Sequence, residues 1–572
     1  MKSRASHVIF SLGLVHFHIK EAIGCVILDY SSTQTNLTVS SVWDIYKGPI
    51  SMAASEDNAG ILDYVGPKQV RAWLAVMSAS YTASAYYHES ALNFFALEAD
   101  EDYRRCMPTS DSEQLFFDNE ARLVFAYTYL WSIQSHIPEW SNIASNYATQ
   151  IGIDLSVCST STCDLDTPTG LAKTIVEEND KVFAQDGWNA DGSYTKDINR
   201  VEFEEWRDPN SIFHPNQLCV ANWKVKQEAC SITSIDYSDP VCWKPQVHQI
   251  GNYLYEDTYL MQHVASSGRS YFLGDEAICD LKLDYPCLDL GFETNEAIRR
   301  LRVINDEGKA QVELFDNIWS WFNIFLTDYY DDNNLNASEW DIVKAITTNI
   351  AAMYEVTLVV WKEKINNGIV RPRTLVNKRM QDTEITSYLG PDEQSVGSIK
   401  GNEWVPYSSK HAQAAEYPSH TSCMCSVLAS GMALVTGAQT LGNNGITVTR
   451  LANSSTIETN KPENDVDFEF SKWSDLAVDC HEAMLNSGTA MSVSRDAAND
   501  FCAPITSKIV DAFDALEAGQ QPKYIIATDN LEMVEDRCKE LEIFWCDRIK
   551  APTLKFLQDV IDFLGITVTV SP

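Results

Sequence analysis

Two cations and a hydroxyl group stand at positions suited to binding a small anion. Lys364 and Arg371 lie seven positions apart, where a long helical pattern ends in an extended segment. Alone, such a pair is typical of charge that compensates the dipole at a helix C-terminus. Ser419, however, follows Pro418 at the start of another helical pattern, where a hydroxyl and unpaired backbone amides can bind an anion. Together they predict an oxyanion site, with Lys364 as a compact cation and Arg371 as a planar fork.

Four motif segments follow one another along the chain. In order, they are Trp361–Lys364 with Arg371-Pro372, Glu403–Tyr407, Glu416–Ser419 and Trp473–Ala477. This order resembles the vanadium-dependent haloperoxidase and type 2 phosphatidic acid phosphatase superfamily, in its haloperoxidase-like branch. The resemblance covers residues 340–500 well and residues 60–500 loosely. It implies two four-helix bundles and, in active members, a vanadate held by an axial histidine, to which peroxide binds before halide is oxidised.

The second motif departs from the family pattern Pro-Ser-Gly-His. This chain has Pro418-Ser419-His420-Thr421. Aligned without a gap, His420 takes the place of the glycine and Thr421 takes the place of the histidine. With a deletion of one residue, His420 is itself the acid/base. We name His420 as the candidate catalytic residue and leave both alignments open.

The third motif departs further, because the family has an arginine followed by a histidine six positions later. The best register puts Met484 at the arginine and Ala490 at the histidine. Loss of the arginine removes two charge-assisted hydrogen bonds, each of about 1.5–3 kcal/mol. His481, one turn before Met484, and Arg495 are candidates to replace the missing groups.

Three functions follow from this resemblance and these departures. The first is a haloperoxidase-like enzyme that uses vanadate, peroxide and halide through an altered site. The second is a non-catalytic relative that binds an oxyanion or serves as a structural or interaction protein. The third is an acid phosphatase, in which the same missing histidine would attack phosphate. The sequence leaves enzymatic activity and a metal ligand set open, with vanadate as the implied cofactor.

The elements that position these residues are predicted to be mainly α-helical. Apolar residues recur at helical spacing almost everywhere, which predicts two helical bundles joined by long irregular connections. Helices are predicted over residues 70–97, 115–137, 171–183, 295–307, 309–326, 338–364 and 419–435. The predicted division is a signal peptide at 1–24, an N-terminal helical region at 25–300 with a long loop at 185–245, the motif-bearing bundle at 301–520 and a C-terminal α extension at 521–572.

The charge of the chain excludes several partners. Its 43 basic and 80 acidic side chains give a formal net charge of −37. Such a field repels nucleic acids and anionic membranes, so the predicted partner is a small oxyanion drawn by a local cation cluster. No membrane span is predicted, because the longest apolar helix carries Lys344, Asn349 and Glu355. An oligomer remains open.

The N-terminus and the cysteines predict export. A basic start, a short apolar run and small residues at 22–24 are typical of a secretory signal. Three Asn-x-Ser/Thr triplets, at Asn36, Asn336 and Asn453, agree with a glycoprotein. The 15 cysteines indicate disulfides, with Cys158–Cys163 as a candidate pair. Nearer the site, Cys423 and Cys425 are predicted to be buried structural thiols rather than ligands that bind a metal with His420.

Overall fold

A computed structural model of the chain is mainly helical, which confirms the predicted fold class. The structure describes residues 37–39, 41–55, 66–95, 104–157, 167–188, 190, 247–250, 253–256, 268–332, 337–408, 415–442 and 445–522. Its helices are α1 (Val42–Ser55), α2 (Gly66–Ala85), α3 (Asp111–His136), α4 (Ser141–Gln150), α5 (Pro168–Phe183), α6 (Asp275–Asp280), α7 (Leu290–Arg302), α8 (Asp306–Phe315), α9 (Ile318–Asp332), α10 (Glu339–Asn367), α11 (Pro372–Arg379), α12 (His420–Thr436), α13 (Trp473–Asn486), α14 (Val493–Ala497) and α15 (Ala503–Glu517).

Three antiparallel hairpins accompany the helices in the described ranges. In the hairpin that begins at Ile446, this first residue pairs with Phe470. The strands are β1 (Val247–Ile250), β2 (Tyr253–Glu256), β3 (Glu384–Tyr388), β4 (Val396–Lys400), β5 (Ile446–Arg450) and β6 (Val466–Phe470).

Helix α10 is the central element, and its ends follow local signals. Ser338 caps its N-terminus by accepting a hydrogen bond from the Asp341 amide at 3.1 Å, and the Asp341 carboxylate accepts one from the Ser338 amide at 3.0 Å. This capping box satisfies amides that the helix leaves unpaired. Gly368 ends the helix with a left-handed φ of 56°, so the helix extends past Lys364 to Asn367.

Helix α10 packs against helices from both the N-terminal and the C-terminal half of the chain. Helix α10 packs against α2, α12 and α15. Helix α2 in turn packs against α3 and α5. One stretch of α10, Glu339–Lys364, is long and apolar enough to cross a membrane, yet 89% of its apolar window is buried in the protein. This burial is that of a core helix.

Three predicted helix boundaries were wrong. Helix α2 ends at Ala85 rather than continuing to residue 97, since the His88 Nδ1 atom accepts hydrogen bonds from the backbone amides of Ser90 and Ala91. Helix α7 ends at Arg302, and Asn305 caps the next helix by accepting from the Gly308 amide. The pattern over 309–326 is divided into α8 and α9 around residue 316.

The cysteine prediction near the site was half right. Cys423 and Cys425 are fully buried, but they form disulfides rather than thiols. Cys423 pairs with Cys502, and Cys425 pairs with Cys480 on α13. Cys423 and Cys425 are two positions apart on α12, so their side chains point in different directions. The two bridges therefore hold this helix to two different segments.

Several predictions fall outside the described residues. They are the signal peptide at 1–24, nearly all of the loop at 185–245, the Cys158–Cys163 pair, the glycosylation triplets at Asn36 and Asn336, and the extension at 521–572 beyond residue 522. The domain boundaries stay a prediction.

Candidate functional site

Lys364 is buried in the last turn of α10, with 1% of its surface exposed. Its Nζ atom donates to the backbone carbonyl oxygens of Ala415 at 2.7 Å and Glu416 at 2.9 Å. Burial and the nearby charge of Arg371 lower the pKa of Lys364 well below its usual value, against the opposite effect of Glu416. Two of the three ammonium donors therefore bind the backbone directly before Tyr417-Pro418-Ser419.

Arg371 is buried directly before α11, where Pro372 begins the helix. Its Nη1 atom donates to the Thr489 carbonyl oxygen at 2.9 Å. Arg371 thus connects the first motif to the loop after α13, which carries the third motif.

Glu416 supplies a carboxylate between these cations, and it is fully buried. Its Oε1 atom accepts hydrogen bonds from the Met491 amide at 2.9 Å and from Ser494 Oγ at 2.7 Å. Its Oε2 atom is buried and accepts no hydrogen bond from the described residues. Burial raises the pKa of Glu416, while the positive charges of Arg371 and then Lys364 act to lower it.

A buried apolar cluster includes residues next to Arg371 and Glu416 in the chain. In such surroundings the ionised form of an acid or base is poorly solvated. The cluster consists of Tyr285, Leu288, Leu290, Ile369, Val370, Leu375, Tyr417, Met491 and Ala497.

Ser419 is joined to the same group through Ser494. The Ser419 amide donates to Ser494 Oγ at 3.2 Å, and Ser494 Oγ donates to Glu416. The Ser419 hydroxyl caps α12 by accepting from the Ser422 amide at 3.4 Å and from Ser422 Oγ at 3.1 Å. Lys364 and Ser419 are therefore linked through Glu416 and Ser494, and Arg371 acts on the Glu416 carboxylate through its charge. The Ser419 amide is already bonded within this network.

His481 lies beside this N-terminus of α12, with 3% exposure. Its Nδ1 atom is 3.2 Å from Ser422 Oγ. Since Ser422 gives its hydroxyl proton to Ser419, the consistent assignment is a protonated Nδ1 that donates to Ser422. The His481 Nε2 atom is buried without a hydrogen-bond partner in the described part of the chain. Burial lowers the pKa of His481 to about 4, so the ring is neutral at pH 7.

His420 faces the middle of α10. Its Nε2 atom is 3.0 Å from Thr357 Oγ1, and its ring contacts that of Trp361 edge-on with centroids 6.4 Å apart. Thr357 gives its own proton to the Met353 carbonyl, so it accepts from His420. Thr357 lies two turns before Lys364, which is about 10 Å along the helix axis.

The residues at the three positions that depart from the family pattern are all buried. Thr421, Met484 and Ala490 have 5%, 2% and 6% exposure. The Ala490 amide donates to the Met484 carbonyl oxygen at 3.3 Å, so these two positions are adjacent in space. Arg495, in contrast, has a side chain that is 57% exposed and lies 3.8 Å from Asp496.

Two residues of the network had no role in the sequence prediction. Glu416 was part of the second motif, and Ser494 lies in α14. The only local signal was an acidic residue next to Tyr-Pro-Ser in apolar surroundings. Their partners lie 75 and 78 positions away in the chain, so the contacts required the folded structure.

The comparisons with known proteins agree with this architecture. Residues 344–518 match the family model described as the VCPO second helical-bundle domain. No curated protein sequence matches the chain.

Solved structures match nearly the whole chain. A holo-type bacterial vanadium-dependent chloroperoxidase has a TM-score of 0.68 and 17% identity, covering 85% of this chain and 100% of that protein. The apo-type bacterial enzyme has a TM-score of 0.65 and 17% identity, covering 80% and 95%. A bacterial vanadium-dependent iodoperoxidase has a TM-score of 0.51 and 11% identity, covering 83% and 97%. The predicted resemblance is confirmed at the level of the fold: the chain has a haloperoxidase-like fold, and residues 344–518 match the second helical-bundle domain.

Proposed function

We propose that this protein is a haloperoxidase-fold relative that binds a small oxyanion through charge and does not oxidise halide. The observation that carries the proposal is the pairing of two buried cations, Lys364 and Arg371, with apolar side chains at Met484 and Ala490. The cations supply electrostatic attraction. A methyl group at Ala490 supplies no ligand.

The residues present do not fit a covalently anchored vanadate. Ala490 stands where the resemblance expects the axial histidine, and Met484 stands where it expects the planar cation. Vanadate is therefore proposed only as one of several tetrahedral anions, held by the same charges as phosphate or sulfate.

Electrostatic binding has a measurable signature. The overall charge of −37 opposes anion entry, and the two cations must overcome it. Because the anion is held by charge and not by a covalent bond, its affinity should depend on salt concentration, which screens both the attraction of the two cations and the repulsion by the overall charge.

The test combines vanadate titration calorimetry with a bromide-plus-peroxide assay on the same preparation. We expect salt-sensitive vanadate binding and bromination far below the range typical of enzymes, about 1–10³ per second. Met484→Arg combined with Ala490→His should raise vanadate affinity, with each single variant as a control. About tenfold is expected for each 1.4 kcal/mol of restored interaction. Bromination by the unmodified protein within the enzyme range contradicts the proposal.

One observation favours a second candidate, an active haloperoxidase with a different ligand. The His481 ring contacts Ser422 through Nδ1, and its buried Nε2 atom has no partner among the described residues. If the unmodified protein brominates and His481→Phe abolishes bromination while His420→Phe does not, this candidate replaces the first. Hydrolysis of a phosphate monoester in the same preparation tests the phosphatase alternative.

We also propose that the chain is exported, with residues 1–24 removed. The two buried disulfides support an oxidising compartment. Asn453 supports a glycan, because its side chain is exposed in a turn with a left-handed φ of 61°.

A further inference from the structure

The carboxylate of Glu416 lies among the same cations that an oxyanion would use. Lys364 donates to the backbone carbonyl oxygen of Glu416, and the charges of both Lys364 and Arg371 act on its carboxylate. The side chain has no exposed surface. A second anion bound here would therefore lie close to a buried negative charge.

The two carboxylate oxygens have different surroundings. Oε1 accepts from the Met491 amide and from Ser494 Oγ. Oε2 is buried without a partner from the described residues. A proton added to Oε2 would convert it from an unpaired acceptor into a donor without disturbing the hydrogen bonds at Oε1.

We propose that Glu416 is an internal counter-anion of this site, and that an oxyanion binds only when Glu416 takes up one proton. This inference rests on the proposed oxyanion binding and adds its regulation. The proton comes from solvent and forms the O–H bond at Glu416 Oε2. No other bond changes, and the two cations then face the bound anion instead of the carboxylate.

The charged groups around Glu416 come from several elements. Lys364 faces it from α10, and Arg371 from the segment before α11. Glu293 of α7 accepts a hydrogen bond from the Ser492 amide. Burial is the largest cause that raises the pKa of Glu293, and the charge of Glu416 raises it further. Burial also lowers the pKa of Lys364, so loss of its proton adds to the weakening at high pH.

Glu416→Gln separates these contributions. Glutamine keeps an acceptor oxygen for Met491 and Ser494 but carries no charge at any pH. Glu293→Gln is the matched control, because Glu293 is another buried carboxylate with two hydrogen bonds from one residue, Ser492. The probe is inorganic sulfate, a tetrahedral anion whose charge stays constant across the range used.

Sulfate affinity is measured by calorimetry from about pH 5 to about pH 8 at constant ionic strength, in two buffers of different ionisation enthalpy. For the unmodified protein and Glu293→Gln, we expect uptake of one proton and affinity that falls by up to about tenfold per pH unit above the Glu416 pKa. For Glu416→Gln we expect no proton uptake at Glu416, a shallower profile and tighter binding at high pH.

The possible outcomes test the role of Glu416 separately from the proposed oxyanion binding. Sulfate binding without proton uptake in the unmodified protein overturns the role of Glu416 and leaves oxyanion binding intact. Equal pH profiles for the unmodified protein and Glu416→Gln do the same. Absence of sulfate binding in all three proteins at every pH overturns oxyanion binding and the inference with it. The proton count of the unmodified protein decides the matter even if Glu416→Gln does not fold.

Discussion

The buried ring of His481 should make the protein less stable in mild acid. Burial is the largest cause of its low pKa, with smaller contributions from Arg495 and Arg300 and an opposing one from Glu482. The perturbation that tests this is His481→Phe, which keeps an aromatic ring and removes the titrating group. It also removes the hydrogen bond to Ser422, an effect independent of the titration.

The sign and size follow from the pKa. Folding lowers the pKa of His481 from 6.5 to about 4, so the unfolded chain binds the proton more readily. Stability from this group is present above the unfolded pKa and is lost as pH falls toward 4. The native protein should lose about 2 kcal/mol through His481 between about pH 7.5 and about pH 5.

The assay is denaturant unfolding at several pH values across this range. The difference in unfolding free energy between the native protein and His481→Phe should change by about 2 kcal/mol across it. Ser422→Ala is the control, because it removes the hydrogen bond at Nδ1 but leaves His481 buried, so the native pH dependence should remain. If His481→Phe loses stability in acid as steeply as the native protein does, the burial argument is wrong.

Two further predictions concern the disulfides and export. The double variant Cys425→Ala with Cys480→Ala opens a bridge across 55 positions and should lose about 4 kcal/mol in denaturant unfolding, whereas unchanged stability would indicate that these cysteines are not bridged. Native protein should begin after residue 24 on N-terminal sequencing and lose mass on glycosidase digestion, with Asn453→Gln as the matched variant; a native N-terminus at Met1 contradicts export.

Local signals predicted the helix ends that matter for the site. Ser338 and Asp341 identify the start of α10, while Ser419 and Gly437 identify the two ends of α12. These signals work because a cap is made by residues within one turn of the helix end. Apolar periodicity did not predict the end of α2. Beyond that end, the His88 side chain accepts hydrogen bonds from the Ser90 and Ala91 amides, and apolar periodicity gives no sign of such a contact.

Non-local contacts account for what the sequence missed at the site. The motif order predicted Lys364, Arg371 and Ser419 as members of one site, and this stays a prediction. In the structure Lys364 bonds to the Glu416 backbone, Ser419 bonds to Ser494, and the charge of Arg371 acts on the Glu416 carboxylate. The same reasoning left Glu416 without a role, because its partners in the 491–494 segment become neighbours only after folding. Even the state of Cys425 depended on a partner 55 positions away.

The charges at this site offer a physical reason why Lys364 and Arg371 can stay buried without a bound anion. An unpaired buried cation is strongly destabilising, so each must have an acceptor or an opposite charge. Lys364 has two backbone carbonyls, Arg371 has the Thr489 carbonyl, and Glu416 supplies the negative charge. With methionine at 484, the site carries one cation fewer than the family pattern. The single carboxylate of Glu416 then leaves the two cations with a net charge of about +1. The two cations can therefore contribute to stability whether or not an oxyanion binds, and their presence in a motif is weak support for catalysis.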